Sequence, residues 1–169
     1  SRFPMGGTCG HSRIDFIDDI LKNQNEIIKK ITSNKITIVH KPYNRRLTLL
    51  FNKHFEKLNQ IDSKFYEVES LNQKGLTKDL INKAKIILWD QVGSGTVELF
   101  ANKVPSIIFW KRIYSEEAEW SVDYINALKD TGVLHDNLDK LLYEIKKYID
   151  DPIEWMNNTD RIIAINNFC

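Results

Sequence analysis

Two apolar runs separated by a glycine-rich turn constrain the fold of this chain more than any other feature. The runs are KIILWD at residues 85–90 and VPSIIFW at residues 104–110, and both are short and rich in isoleucine. Runs of this kind are typical of strands buried on both faces. The turn GSGT and a short helical pattern with Val97, Leu99 and Phe100 lie between them. Strand, helix and strand in this order predict parallel pairing, because parallel strands need a crossover connection.

The same alternation of strand and helix patterns continues along the rest of the chain. Strand patterns occur within KITIVHKP at residues 35–42, at residues 65–68 and near residues 133–134. Helix patterns cover residues 12–31, 47–58, about 116–131 and 138–149, and shorter helices begin near residues 77 and 153. We therefore predict an α/β protein with a Rossmann-like parallel sheet and helices on both faces, formed by a single domain over residues 1–169.

The composition excludes several classes of protein. The formal net charge is +1, so no bulk field favours nucleic acid, and we expect no nucleic-acid partner. Cys9 and Cys169 form no CxxC spacing, which fits a reducing compartment. No apolar run is long enough to span a bilayer, and no signal peptide is visible. We expect a cytoplasmic protein, with peripheral attachment to the inner face of the membrane as an alternative.

Three loops follow predicted strands at the edge where parallel sheets bind ligands. They are KPYNRR at residues 41–46, DQVGSGT at residues 90–96 and WKRIYSEE at residues 110–117. In the second loop, the helix start at Ser94, Gly95 and Thr96 offers hydroxyls and backbone amides that favour an anion. Glu98, in the first turn, is placed to accept hydrogen bonds from a sugar diol. The alternative is that Ser94 or Thr96 only caps the helix and the glycines only shape the turn.

The other two loops carry cations and aromatic side chains. Lys41 and Arg45 are placed to neutralise a diphosphate, and the alternative is a solvated basic loop. Trp110 could stack on a base or a sugar, although such aromatic residues more often pack. His135, at the end of a short apolar run, is a candidate ligand, although a lone histidine is more often structural.

Several common sites are missing from the sequence. GSGT lacks the lysine of a P-loop and does not match GxGxxG, so neither common nucleotide motif is present. No HExxH, CxxC or GxSxG motif occurs, and we predict no metal site and no cofactor. No catalytic residue can be assigned from the sequence.

From about residue 76 to residue 168, the order of motifs resembles the carboxyl-terminal domain of GT-B glycosyltransferases. It is especially similar to a bacterial transferase family of surface-carbohydrate biosynthesis. The residues that carry the resemblance are Asp90, Gly95, Thr96, Glu98, Asn102, Pro105, Phe109 and Trp110, then GVLHD at residues 132–136, and then Trp155, Arg161 and Phe168. Upstream, VHKPYNRR resembles the family's strand followed by Arg-x-Tyr-Pro, which places Tyr43 in the motif.

This chain departs from that family pattern at two positions. Where the family has an arginine shortly before the tyrosine, this chain has His40, Lys41 and Pro42 before Tyr43. A Thr-Thr pair is replaced by Ser94, Gly95 and Thr96.

The resemblance implies a nucleotide-sugar donor domain and a set of roles within it. Lys41 and Arg45 would face the phosphates, and the backbone amides of Gly95 and Thr96 would donate further hydrogen bonds to those phosphates. Glu98 would hold the hydroxyls of the ribose or the sugar. Trp110 would line the donor pocket. A carbohydrate or lipid-linked acceptor would bind mainly to an amino-terminal domain that precedes this chain in a longer protein. No metal would be required.

Two alternative functions remain open at this point. One is a polyol-phosphate transferase that uses a CDP-activated donor. The other is a non-catalytic Rossmann-like interaction domain, which would bind no nucleotide.

Overall fold

The computed structural model describes residues 16–42, 51–69, 76–90, 92–114 and 118–169, and the structural statements below concern those residues. The chain divides into two compact units, residues 1–77 and residues 78–169. Each unit has its own small parallel sheet, flanked by helices. The α/β class and the parallel pairing are therefore confirmed. The prediction of one domain over residues 1–169 stays a prediction.

Among its described residues, the first unit contains two helices and two strands. They are α1 (Ile17–Ser33), β1 (Ile38–His40), α2 (Asn52–Leu58) and β2 (Tyr66–Val68). The two strands pair in parallel, with Ile38 opposite Tyr66. Acidic residues occupy the first turn of α1 and Lys30 its last turn, so its side-chain charges complement the helix dipole. One face of α1 packs inward, and the apolar centre of the unit is Ile28, Phe55, Leu58 and Tyr66.

Two buried histidines join the helices and strands of the first unit. His54 Nε2 lies 2.6 Å from Gln24 Oε1 on α1, so this nitrogen carries the proton and donates to the amide oxygen. His40 Nδ1 lies 2.8 Å from the Tyr66 hydroxyl, and its ring stacks on Phe55 at 5.5 Å. Burial lowers the pKa of His54 to about 4 and that of His40 to about 3. Both rings are therefore neutral in the folded protein at pH 7.

The second unit contains three strands, six helices and two short 3₁₀ turns among its described residues. These elements are α3 (Lys78–Lys83), β3 (Ile87–Trp89), α4 (Ser94–Ala101), β4 (Ser106–Phe109), the turns Arg112–Tyr114 and Glu119–Ser121, α5 (Val122–Asp130), β5 (Leu134–His135), α6 (Leu138–Tyr148), α7 (Pro152–Met156) and α8 (Thr159–Phe168). The strands are parallel in the order β3-β4-β5. All four residues of β4 are buried because this strand is central, which explains why VPSIIFW has no polar face.

Several predicted boundaries differ from the structure. The helix expected over residues 116–131 is α5, which begins only at Val122 after the 3₁₀ turn. Ala118 is extended, and the Ser121 hydroxyl donates to its carbonyl at 2.8 Å, a local bond that competes with helix formation. The helix expected from residue 153 is two helices, since Asn158 caps α8 by accepting from the Arg161 amide at 3.0 Å. The short strand near residues 133–134 is displaced by one residue.

No helix in the described part of the chain combines the length and the apolar character that crossing a membrane requires.

Candidate functional site

The turn predicted to bind the donor, residues 90–96, follows β3 at the carboxyl edge of the second sheet. We call it the donor turn. Asp90 comes directly after the strand and is half-buried. Gly93 then precedes α4 with an extended backbone, φ −168° and ψ 178°. Any residue adopts this conformation, so Gly93 is not required by a left-handed φ. Since α4 begins at Ser94, its amino-terminal end lies at the edge where a parallel sheet binds ligands.

No side chain in the described residues caps the amino-terminal end of α4. Ser94 and Thr96 both lie inside α4, and Gly93 occupies the N-cap position. The Thr96 amide donates to the Gly93 carbonyl at 2.9 Å, and the Val97 amide does so at 3.2 Å. The Thr96 amide is thus already bonded within the turn, and its contact with a phosphate stays a prediction. The first-turn donors that remain are the amides of Ser94 and Gly95, which have no intrahelical acceptor.

Gly95 is required by a close neighbour. A Cβ at this position would lie 2.9 Å from Cη2 of Trp89 and 3.5 Å from its Cζ3. The indole ring thus occupies the space that any side chain at residue 95 would need. The sequence suggested that this glycine brings a ligand close to the backbone, and the structure adds Trp89 as the residue that lies against it.

The remaining residues of the turn divide into surface and core. Ser94 and Glu98 are exposed, whereas Thr96 is completely buried. Because Ser94 and Glu98 are four residues apart on one helix, their side chains lie on the same side of α4. A hydroxyl and a carboxylate therefore project beside the uncapped amides. The Thr96 side chain instead packs inside the unit.

Trp110 belongs to the core of the second unit. Its side chain is only 6% exposed, and its backbone amide donates to the His135 carbonyl at 2.9 Å. This bond extends the pairing of β4 and β5 past the end of the strand. The structure therefore gives Trp110 a packing role, and its proposed stacking on a donor stays a prediction.

His135 lies at the end of β5 and is also buried. Its Nε2 lies 2.9 Å from the Gly132 carbonyl, so this nitrogen carries the proton and donates to it. Burial lowers the pKa of the ring, which favours the neutral form. The ring borders an open cleft of about 430 Å³, whose lining includes Lys140 and Tyr143 from α6. The histidine is thus held by its own turn, and its binding role stays a prediction.

A buried ion pair between Glu144 and Arg161 packs against the backbone at Thr131 and Gly132, just before β5. The guanidinium of Arg161 contacts the carboxylate, and its Nε donates to the Thr131 carbonyl at 2.8 Å. Trp155 Nε1 donates to the same carboxylate at 3.1 Å. Gly132 has φ +75°, and a Cβ there would lie 3.3 Å from the Glu144 carboxylate. This network joins α6, α7 and α8 to the loop before β5.

Sequence reasoning assigned no role to Glu144. Arg161 and Trp155 were recognised only as members of a family pattern. Their shared partner lies 17 residues before Arg161, and no motif spacing indicates such a contact.

The predicted cations fall elsewhere in the chain. Lys41 follows β1 in the first unit and is half-buried. Tyr43 and Arg45 lie outside the described residues. The seven other predicted residues, from Asp90 to His135, belong to the second unit. In the described part of the chain, no group of three or more His, Cys, Asp or Glu is placed to hold a metal ion.

Comparison with known proteins gives a match to a protein family. The family model described as "LIC12162 family transferase" matches residues 6–169. No curated protein and no solved structure matches the chain.

Proposed function

Because the chain belongs to the LIC12162 family of transferases, we propose that it contributes the donor-binding part of a glycosyltransferase. The observation that carries this proposal is the uncapped amino-terminal end of α4 beside the exposed side chains of Ser94 and Glu98. The donor is a nucleotide-sugar. The product belongs to the biosynthesis of bacterial surface polysaccharide.

The phosphates of the donor bind at the first turn of α4. The amides of Ser94 and Gly95 donate to the phosphate oxygens, and the dipole of the helix adds to this attraction. The Ser94 hydroxyl supplies a further donor. Glu98, one turn along the same side of the helix, accepts hydrogen bonds from the ribose or sugar hydroxyls. The roles predicted from the sequence for Lys41 and Arg45 stay predictions.

The reaction transfers the sugar from phosphate to an acceptor hydroxyl. The acceptor oxygen bonds to the anomeric carbon, and the bond from that carbon to the phosphate oxygen breaks with its electron pair on the phosphate. The hydroxyl proton passes to a base, for which we assign no residue of this chain. Donors at the helix end stabilise the charge on the leaving phosphate, and in this proposal no divalent metal is needed.

The proposal places this chain in a larger enzyme. The second unit is then part of the carboxyl-terminal half of a GT-B fold, and a preceding domain of the same protein binds a carbohydrate or lipid-linked acceptor. The reaction takes place in the cytoplasm, where nucleotide-sugars are made, or at the inner face of the membrane.

A thermal-shift panel of nucleotides tests the proposal. UDP, CDP, GDP and their sugar conjugates are added to the protein, and a ligand at about 100 times its Kd should stabilise the folded state by about 2.7 kcal/mol. Glu98→Ala should remove most of the rise in Tm. Glu154→Ala is the matched control, because Glu154 is also an exposed glutamate near the start of a helix in the second unit.

The panel also separates the alternatives. A response to CDP and CDP-polyols, with none to the other nucleotides, would favour the polyol-phosphate transferase. No response to any nucleotide would favour the non-catalytic domain and would contradict the proposal.

A further inference from the structure

Two exposed aromatic side chains stand at the start of α5. Trp120 is 76% exposed and Tyr124 is 40% exposed. Large aromatic side chains are normally among the more buried ones, so an indole this open needs an explanation. Neither residue was among the predicted site residues.

The spacing of these two residues places them on one side of a helical segment. The 3₁₀ turn Glu119–Ser121 leads directly into α5 at Val122, so helical backbone is continuous through both residues. Side chains four residues apart on a helical backbone are neighbours. Glu119 and Asp123 repeat the same spacing one position earlier, and both are exposed. An aromatic row and a carboxylate row therefore run side by side.

Hydrogen bonds on both sides hold this segment in place. The Ser121 hydroxyl donates to the Ala118 carbonyl at 2.8 Å, which fixes the start of the turn. Arg112 Nη2 donates to Asn126 Oδ1 at 2.9 Å, which fastens the turn after β4 to α5. The aromatic row is thus presented by an ordered helix start, a better support for a binding face than a loop tip.

The topology predicts that the segment lies at the same sheet edge as the donor turn. It follows the carboxyl end of β4, whereas the donor turn follows the carboxyl end of β3, and these strands are neighbours in the sheet. In a parallel sheet the helix starts after adjacent strands share one edge. A ligand on the aromatic row would therefore be on the side of the sheet where the proposed donor binds.

The size and charge of this face decide what can occupy it. A fully buried aromatic side chain covers about 150–250 Å², so two partly exposed rings offer well under the roughly 800 Å² that each partner buries in a standard protein interface. The flanking carboxylates would repel nucleic acid and anionic lipid. Among the described residues neither Glu119 nor Asp123 has an ion-pair partner, so both remain free to accept hydrogen bonds.

We propose that Trp120 and Tyr124 form a stacking platform for a pyranose ring of the acceptor, a neutral saccharide. The C–H face of the sugar packs on the rings, and its hydroxyls donate to the carboxylates of Glu119 and Asp123. This inference rests on the proposed glycosyl transfer, because a donor sugar at α4 needs an acceptor sugar nearby. It assigns part of acceptor recognition to the second unit of this chain.

The indole N–H resonances of the ¹⁵N-labelled protein test the platform. The chain has four tryptophans, so the four signals can be assigned by replacing one tryptophan at a time with phenylalanine. The protein is titrated with methyl glycosides of glucose, galactose and N-acetylglucosamine. At least one sugar should shift the Trp120 signal and leave that of the buried Trp155 unchanged.

Variants separate stacking from general surface effects. Trp120→Ala should weaken sugar binding by roughly tenfold, the size expected when an aromatic anchor is truncated. In the Trp120→Phe protein, followed by the sugar's own saturation-transfer signal, binding should be retained within about threefold. Ile153→Ala is the control, because Ile153 is an exposed apolar residue on α7, and it should leave binding unchanged.

Three results would overturn the proposal. The first is a Trp120 signal that no sugar shifts although the nucleotide thermal shift is intact. That result would contradict the platform and leave the proposed function unaffected. The second is a shift that Trp120→Ala does not weaken. The third is a Trp120 signal that moves with protein concentration alone, which would show an interface between copies of the chain. Loss of the nucleotide response, in contrast, would count against the proposed function itself.

Discussion

Replacing Gly95 with alanine should destabilise the second unit, because Trp89 occupies the space of the new methyl group. The added Cβ would lie 2.9 Å from Trp89 Cη2, well inside the roughly 3.5–4.0 Å of an ordinary carbon contact. Overpacking of this kind costs about 1–3 kcal/mol. Alanine also gains about 0.5–1 kcal/mol over glycine inside a helix. The net loss in the free energy of unfolding should therefore lie between about 0 and about 2.5 kcal/mol.

The reason for the loss is tested by a second substitution. Trp89→Phe removes the six-membered part of the indole, which holds the atom nearest to the new methyl group. In that background Gly95→Ala should be neutral or should stabilise the unit by up to about 1 kcal/mol, since only the helix preference of alanine remains. The two substitutions should then show a coupling energy of about 1–3 kcal/mol.

Urea denaturation of the four proteins, followed by circular dichroism, measures these energies. A Gly95→Ala protein that is more stable than the parent would contradict this explanation. So would an equal change in stability in the presence and absence of the indole. The same proteins in the nucleotide panel show whether the position of the first turn matters for binding: Gly95→Ala should bind more weakly, and the double variant should recover part of that loss.

Two further predictions concern the interiors of the two units. Glu144→Gln should lower the free energy of unfolding by about 3–5 kcal/mol, because it leaves the buried Arg161 charge without its partner. A Glu144→Leu, Arg161→Met double variant should lose less stability, because no charge is then buried. Equal losses of stability in the two variants would contradict this explanation. Since burial lowers the pKa of His54 to about 4 and that of His40 to about 3, the unfolded chain binds protons first as the pH falls. Stability of the first unit should be constant above about pH 6.5 and should then fall by up to about 1.4 kcal/mol per pH unit for each histidine, down to those pKa values. Hydrogen exchange of the α1 amides at pH 7 and at pH 5 measures this loss of stability, and equal protection at the two pH values would refute the prediction.

The order of strands and helices could be predicted because it depends on local patterns. KIILWD and VPSIIFW are apolar on both faces, and β4 is indeed buried at every position. The division into two sheets could not be predicted in this way. Strands of two to four residues carry little information about which other strands they join, because pairing depends on contacts between distant parts of the chain.

The position of the GSGT turn in the fold could be predicted from the sequence, whereas its atomic contacts could not. The GSGT turn does begin a helix at the carboxyl end of a strand, as its glycine and hydroxyl residues indicated. Which amides stay unbonded depends on a single carbonyl, that of Gly93. The reason for Gly95 depends on Trp89, whose ring is brought to it by the fold. Neither contact leaves a signature in residue spacing.

The buried network around Arg161 has a consequence for synthesis of the protein on the ribosome. Thr131, whose carbonyl accepts from Arg161, is made 30 residues earlier, and Glu144 is made 17 residues earlier. At a synthesis rate of about 5–20 residues per second, Arg161 is added to the chain on the order of seconds after Glu144. During that interval a fully packed second unit would enclose an unpaired carboxylate. The unit should therefore remain incompletely folded on the ribosome until α8 has emerged.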